Sequence, residues 1–290
     1  MKKHLGKTRK MLTEANIKNA ISKNSWLARL VSIALSNFVY QKLPETINRD
    51  FMEWRLLCGE KIALFEDEVL GALALPVTSV YMRDVYGLPL EWEVFAPFGG
   101  YHRRLNAENA VILWDNVNHY GGTFQTLNMY ADRLSDIQRT IDVNVANQKT
   151  PILVSCSQEQ KLSLENAMMQ RDSNIAALWV LKDSFDMDAI RTLNIQPEYI
   201  ADKAQILSRQ LWNEALTFLG VENSNTEKRE RLVTEEITSN LGGVNAMRQT
   251  RLIPRQEAFE KANALFGWEV SVDYVSADLD KTDEGGVLFG

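Results

Sequence analysis

Residues 197 to 240 constrain this 290-residue chain more than any other stretch, because they read as a long helix, a glycine stop and a second helix. Ile200, Ala204, Leu207, Leu211, Ala215 and Phe218 recur at spacings of three and four, which aligns them as one apolar stripe. A helix of this kind has to lie along another surface. Pro197 fits a first turn, where its missing N–H would go unpaired in any case, and Gly220 is suited to end the helix at positive φ. Ser224 to Glu227 has capping-box spacing and opens a charged helix through Glu227, Lys228, Arg229, Glu230 and Arg231, whose acids and bases can pair along its surface.

The same period returns elsewhere. Phe124, Leu127, Tyr130, Ala131, Leu134, Ile137, Ile141 and Val145 predict a helix over 123–147, and Pro151 forbids its continuation. Leu27, Leu30, Ala34 and Phe38 mark the buried side of an earlier helix that Leu43-Pro44 would end, and residues 48–58 suggest a short one. Between 61 and 114 glycines, prolines and aromatics become frequent, and Trp92–Phe95 and Ala110–Trp114 are short enough for strands. Tyr81, Tyr86, Trp92, Phe95, Phe98, Tyr101 and Trp114 could stack on bases or fill the core of a small barrel. Ile152–Val154 and Ala177–Leu181 read as strands around a helix at 160–169. Pro254–Phe266 reads as a helix, Trp268–Val275 as a strand, and Asp278, Asp280, Asp283 and Glu284 lie in a tail without apolar period.

Charge divides the chain unevenly. The net charge is −6, yet residues 1–29 hold eight Lys or Arg against one Glu, a balance of +7 that leaves −13 for the rest. Lys2, Lys3, Lys7, Arg9 and Lys10 make a basic arm, which is either a solvated terminus or a phosphate-binding one. Polar residues 13–25 separate it from the apolar run Leu30–Tyr40, so the pair is not a signal peptide, and the run is too short to span a bilayer. Cys58 and Cys156 make no disulfide framework and fit a reducing cytoplasm.

No catalytic, cofactor or metal site is expected. Gly6-Lys7-Thr8 lacks the strand and loop that a nucleotide cradle requires. His4, His102 and His119 do not stand at metal-ligand spacing, and Asp183, Asp186 and Asp188 lack the ligand alternation of a calcium loop.

Trp212-Asn213-Glu214, Thr217-Phe218-Leu219-Gly220, and then Asn223, Asn225, Glu227, Lys228, Glu230, Arg231, Val233, Thr234, Glu236, Ser239 and Asn240 carry a resemblance. In the same order stand Leu43-Pro44, Thr46-Ile47-Asn48, Arg83-Asp84-Val85-Tyr86, Lys149-Thr150-Pro151-Ile152-Leu153 and Leu162-Ser163-Leu164. Over about residues 13 to 275 the chain resembles the portal (head-tail connector, upper collar) proteins of small, short-tailed, protein-primed bacteriophages. The resemblance implies a mainly helical α+β subunit with long stem helices, a strand-helix-strand clip and a small β-rich, barrel-like wing insert. Its segments would be a flexible basic arm (1–12), N-terminal helices (13–59), wing (60–122), stem helix (123–150), clip (151–196), and long helices of stem and wing (197–238). A channel loop (239–253), a crown-side helix and strand (254–275) and a flexible acidic tail (276–290) would follow.

It further implies a non-enzymatic, twelve-fold ring at the head vertex, made in the host cytoplasm and carried in the virion, through which double-stranded DNA enters and leaves. The partners would be a packaging ATPase, major capsid and scaffolding proteins, lower collar and tail proteins and a packaging RNA, with no membrane. DNA would meet Lys203 and Arg209 on the long helix, and Arg248 and Arg251 in a loop loosened by Asn240, Gly242 and Gly243. On composition alone that loop reads as a flexible surface connection, a preference the resemblance reverses, and the helix cations could instead form salt bridges to a neighbouring subunit. The alternative is a nucleic-acid-binding monomer or dimer acting through the basic arm.

Overall fold

The computed structural model describes residues 2–119, 121–148, 152–154, 190–192, 198–223 and 234–275. Along them run α1 (Lys2–Ser36), β1 (Phe38–Gln41), α2 (Arg49–Leu57), β2 (Ile62–Asp67), β3 (Gly71–Arg83), β4 (Pro89–Phe95), β5 (His102–Asn106) and β6 (Ala110–Leu113). Then follow α3 (Thr123–Asn147), β7 (Ile152–Val154), β8 (Ile190–Thr192), α4 (Ala201–Phe218), α5 (Thr234–Phe266) and β9 (Ser271–Tyr274). One compact unit comprises Met1–Asp136 with Ser208–Gly290, and a second comprises Ile137–Leu207.

Two cores of the larger unit meet on β2. Side chains alternate across a strand, and Ile62 to Phe65 are all buried. Ile62 and Leu64 enter a core with Met52 and Leu56 of α2 and Ala258, Phe259 and Ala262 of α5. Ala63 and Phe65 enter another with Trp92, Val94 and Leu105. The five strands are antiparallel in the order β5-β4-β3-β2-β6. β3 changes partner along its length, pairing with β2 up to Pro76 and with β4 from Val77, where register shifts bend it. In a flat sheet the edge strands β5 and β6 would stand about 19 Å apart at ~4.8 Å per strand. Yet only residues 107–109 join them, a link of about 14 Å at full stretch. The sheet is therefore curled, which gives the barrel-like insert its form.

β1 corrects the expectation that a helix continues to Leu43-Pro44. Phe38–Gln41 pair antiparallel with Ser271–Tyr274, and β-favouring Phe, Val and Tyr gain more from that ladder than from another helical turn. Asn37 makes the turn: its side chain donates to the Leu219 carbonyl at 3.1 Å and its own carbonyl accepts from the Val275 N–H. The basic residues expected in a flexible arm are instead the opening turns of α1.

The helices of 49–57 and 123–147 stand where the sequence pattern predicts them. Asn48 caps α2 by accepting from the Phe51 N–H at 2.9 Å. Gly220 closes α4 at φ 76°, with its N–H on the Thr217 carbonyl and the Val221 N–H on that of Leu216, the pattern of a Schellman cap. A Cβ there would lie 2.9 Å from Arg248 Cα, so this glycine also admits α5. In the smaller unit α4 begins at Ala201 rather than Pro197. Buried Asn144 accepts from the Ile200 N–H and donates to the Glu198 carbonyl, fixing the approach, and Ile200 accepts the first helical bond from Ala204. β7 pairs antiparallel with β8, a strand not anticipated. The expected helix at 160–169, strand at 177–181, capping box at 224–227 and acidic tail lie outside the described residues.

The loop expected at 239–253 is helical: α5 runs unbroken through Gly242, Gly243 and Pro254. Proline removes the N–H that would reach the Thr250 carbonyl, which ordinarily weakens a helix by about 3 kcal/mol. Here the Val117 N–H takes that carbonyl at 3.0 Å, and buried Leu252, Ala258, Phe259 and Ala262 hold the helix against the core.

What clamps α5 is Arg255, fully buried. Its Nε and Nη2 grip the two Glu53 oxygens at 2.9 and 2.8 Å, Nη1 donates to the Asp115 and Arg251 carbonyls at 2.9 and 2.8 Å, and Nη2 also reaches Asp115 Oδ1 at 3.2 Å. Every donor of the guanidinium fork is used. Asp115 Oδ2 accepts from the N–H and hydroxyl of Thr123, placing a negative charge at the positive end of α3. Burial alone would push both carboxyls up. Arg255 and Arg251 outweigh it and hold Glu53 below its ordinary 4.5 and Asp115 below its ordinary 3.8. Folded values below unfolded ones mean that the cluster stabilises fully above about pH 4.5 and loses that contribution as pH falls through the folded values. Thermal melts should therefore show this loss only below about pH 4. At pH 7, Glu53→Gln should cost roughly 3–5 kcal/mol in denaturant unfolding, since it breaks a buried pair.

Candidate nucleic-acid interface

The cations proposed to meet DNA separate into buried and exposed groups. Arg248 is mostly buried: its Nε and Nη2 donate to the Gly220 carbonyl at 3.2 and 3.1 Å, Nη2 lies 3.4 Å from Glu222, and the guanidinium stands 4.6 Å from the Tyr274 ring centre. It sits at the carbonyl end of α4, where the helix dipole favours a positive charge. Tyr274 donates to the neighbouring Leu219 carbonyl, and burial pushes its phenol up to about 12.

Arg251 is removed from the DNA-facing set by the fold. It is 3% exposed, lies 3.5 Å from Asp115 Oδ1 and stands over the Phe38 ring at 5.0 Å. A phosphate outside cannot reach it, and its charge is spent on the Glu53–Asp115–Arg255 cluster. The error has a readable cause. Residues 251, 255, 258, 262 and 266 follow a helical period, so both arginines stand on the same stripe as Ala258 and Ala262, and that spacing signals buried cations.

Lys203 is exposed and pairs with Glu198 at 3.3 Å, both side chains about three-quarters accessible, a contact worth little in water. Arg209 is also exposed. Asn240, Gly242 and Gly243 belong to α5, and open space surrounds both glycines. Lys2, Lys3, Lys7, Arg9 and Lys10 stand on α1, with side chains outside the described residues. The aromatics divide as well. Trp92 is buried in the barrel core, with Tyr101 packed against that core, whereas Tyr86 and Phe98 are almost fully exposed.

Among known proteins, the family model described as Phage Connector (GP10) matches residues 8–278. The chain belongs to this family. Membership makes it a phage portal, the connector at the head-tail junction of the virion, which assembles as a ring that passes DNA and meets capsid and tail. Among solved structures it is similar to a chain of the portal and tail of native bacteriophage P68, at 13% identity over 94% of this chain and 93% of that one, with a TM-score of 0.52. That likeness establishes the portal fold. It is also similar to an HK97 family phage portal protein from Corynebacterium diphtheriae, at 9% identity over 91% of this chain and 96% of that one, with a TM-score of 0.43. Neither family nor fold supports the alternative of a monomeric or dimeric nucleic-acid-binding protein.

The separation of buried from exposed cations predicts opposite responses. Arg251→Ala should lower the melting temperature clearly, whereas Lys203→Ala should change stability by no more than about 0.5 kcal/mol. Gly242→Ala and Gly243→Ala meet no steric obstacle and should each stabilise α5 by about 0.8–1 kcal/mol. Thermal unfolding of the four single variants would check these outcomes.

Proposed function

We propose that twelve copies close into the ring, with the helix of 123–150 as stem, the helices of 197–238 shared between stem and wing, the 60–122 insert as an outer wing and 151–196 as a clip. The match of the connector family model over residues 8–278 carries this reading. Head-to-tail contacts close when their rotation divides a full turn.

Lys203 and Arg209 are the cations on α4 that remain exposed, and we assign them to the channel wall. Repeated around a ring, each becomes a belt that attracts passing phosphates weakly. The body beyond residue 29 carries −13, which discourages a duplex from adhering to a passage through which it slides. Asn240, Gly242 and Gly243 would bring the first turns of α5 to the channel as a helix rather than as a loop. The cations of α1, Lys2 to Lys10, would contact nucleic acid outside the channel, a packaging RNA in the family reading.

The chain acts without catalysis of its own, so an external packaging ATPase supplies the work. Assembly takes place in the host cytoplasm with major capsid and scaffolding proteins, before lower collar and tail proteins attach. Native mass spectrometry should find a closed ring of twelve, and a stable monomer at micromolar concentration would overturn the reading. Deleting residues 1–10 should leave the ring intact, weaken DNA or RNA binding at low salt and flatten its salt dependence. Unchanged affinity and slope would assign the arm to solvent.

A further inference from the structure

The small barrel presents two unpartnered apolar surfaces of opposite shape at opposite ends of β4. One is convex. The turn after β2 exposes Val69 at 89%, and the loop after β4 exposes Phe98 at 87%. Asp67 holds both in place: Oδ1 accepts from the Val69 and Leu70 N–H groups at 3.0 and 3.1 Å, and Oδ2 from the Tyr101 hydroxyl at 2.7 Å. The turn is thus preorganised before any partner arrives.

The other surface is a groove of about 530 Å³ between the start of β4, β6 and α5, lined by Pro89, Trp92, Trp114, His119, Pro254 and Leu265 among others. Trp92 is 2% exposed and its indole N–H has no hydrogen-bond partner among the described residues. Charge matches as well. Glu68 lies exposed on the convex turn, while the groove is lined by Lys261 beside one acid, Glu257, and Lys61 stands over its Trp114 ring at 5.1 Å.

The surfaces cannot meet within one copy, because β4 sets Pro89 and Phe95 about 20 Å apart at ~3.3 Å per residue. Between copies they supply what a closed ring needs: two different, complementary patches on each subunit. We propose that Val69, Leu70 and Phe98 of one copy insert into the Trp92–Trp114–Leu265 groove of the next, forming a barrel-to-barrel seam of the ring. The proposal rests on the ring reading and adds the surfaces through which neighbouring barrels touch.

The test uses the full chain with Cys58→Ser and Cys156→Ser. Phe98→Cys and Leu265→Cys proteins, differently tagged, are co-expressed, checked for rings by native mass spectrometry and treated with a short bis-maleimide. Mixed rings should give linked dimers carrying both tags, and rings of either variant alone should give none. A further variant, Phe98→Ser, should leave the melting temperature of the subunit unchanged and lower the ring fraction at limiting concentration at least tenfold. Rings without mixed cross-links, or rings cross-linked through Phe98→Cys alone, would overturn the seam and leave the ring standing. Monomers in the cysteine-free parent would overturn the ring reading and the seam with it.

Discussion

The fold turns on one buried guanidinium. Arg255 gathers Glu53 from α2, Asp115 from the segment before α3 and the Arg251 carbonyl one turn back in its own helix, partners as far as 202 positions apart in sequence. Removing such a charge from water costs several kcal/mol, and only a complete set of bonds offsets it. The set is complete here, and the Phe38 ring covers the guanidinium at 4.1 Å. Because Phe38 opens β1 and β1 pairs with β9, the same node ties the strand that follows α1 and the last described strand to α5.

This node also decides which cations the fold encloses. α5 carries Arg248, Arg251 and Arg255 on the side that packs against Gly220, Asp115 and Glu53. These three charges are thus committed to architecture. The cations proposed to meet a moving duplex, Lys203 and Arg209, are exposed instead, on a body that is otherwise acidic. On that proposal the division would suit a connector, since strong anchoring inside the subunit and weak attraction at its surface would serve a ring that must hold its shape while DNA slides.

Much of the fold was legible because local rules and tertiary packing agree. The apolar period of 123–147 and the Gly220 stop each specify their element with short-range signals. The resemblance carried by Trp212 to Gly220 pointed to the family that the whole-chain comparison establishes. Sequence reading failed where distant partners override local preference. Phe38–Gln41 leave a helical pattern because Ser271–Tyr274 offers a ladder, and Pro254 sits within a helix because Val117 takes the orphaned carbonyl. Gly242-Gly243 suggested a loop, yet Val244 and Leu252 bury themselves and hold the helix around them. Arg251 was read by its charge when its spacing from Arg255 and Ala258 already placed it inside.

Electron cryomicroscopy of the purified assembly at side-chain resolution tests the central claim most directly: α5 spends its inward arginines on the fold, while α4 offers its outward cations to the channel. The account predicts a closed ring with Arg251 and Arg255 enclosed between Glu53 and Asp115 and with Lys203 and Arg209 lining the axial passage. A ring in which Arg251 points into the passage, or in which Lys203 and Arg209 face away from it, would contradict it.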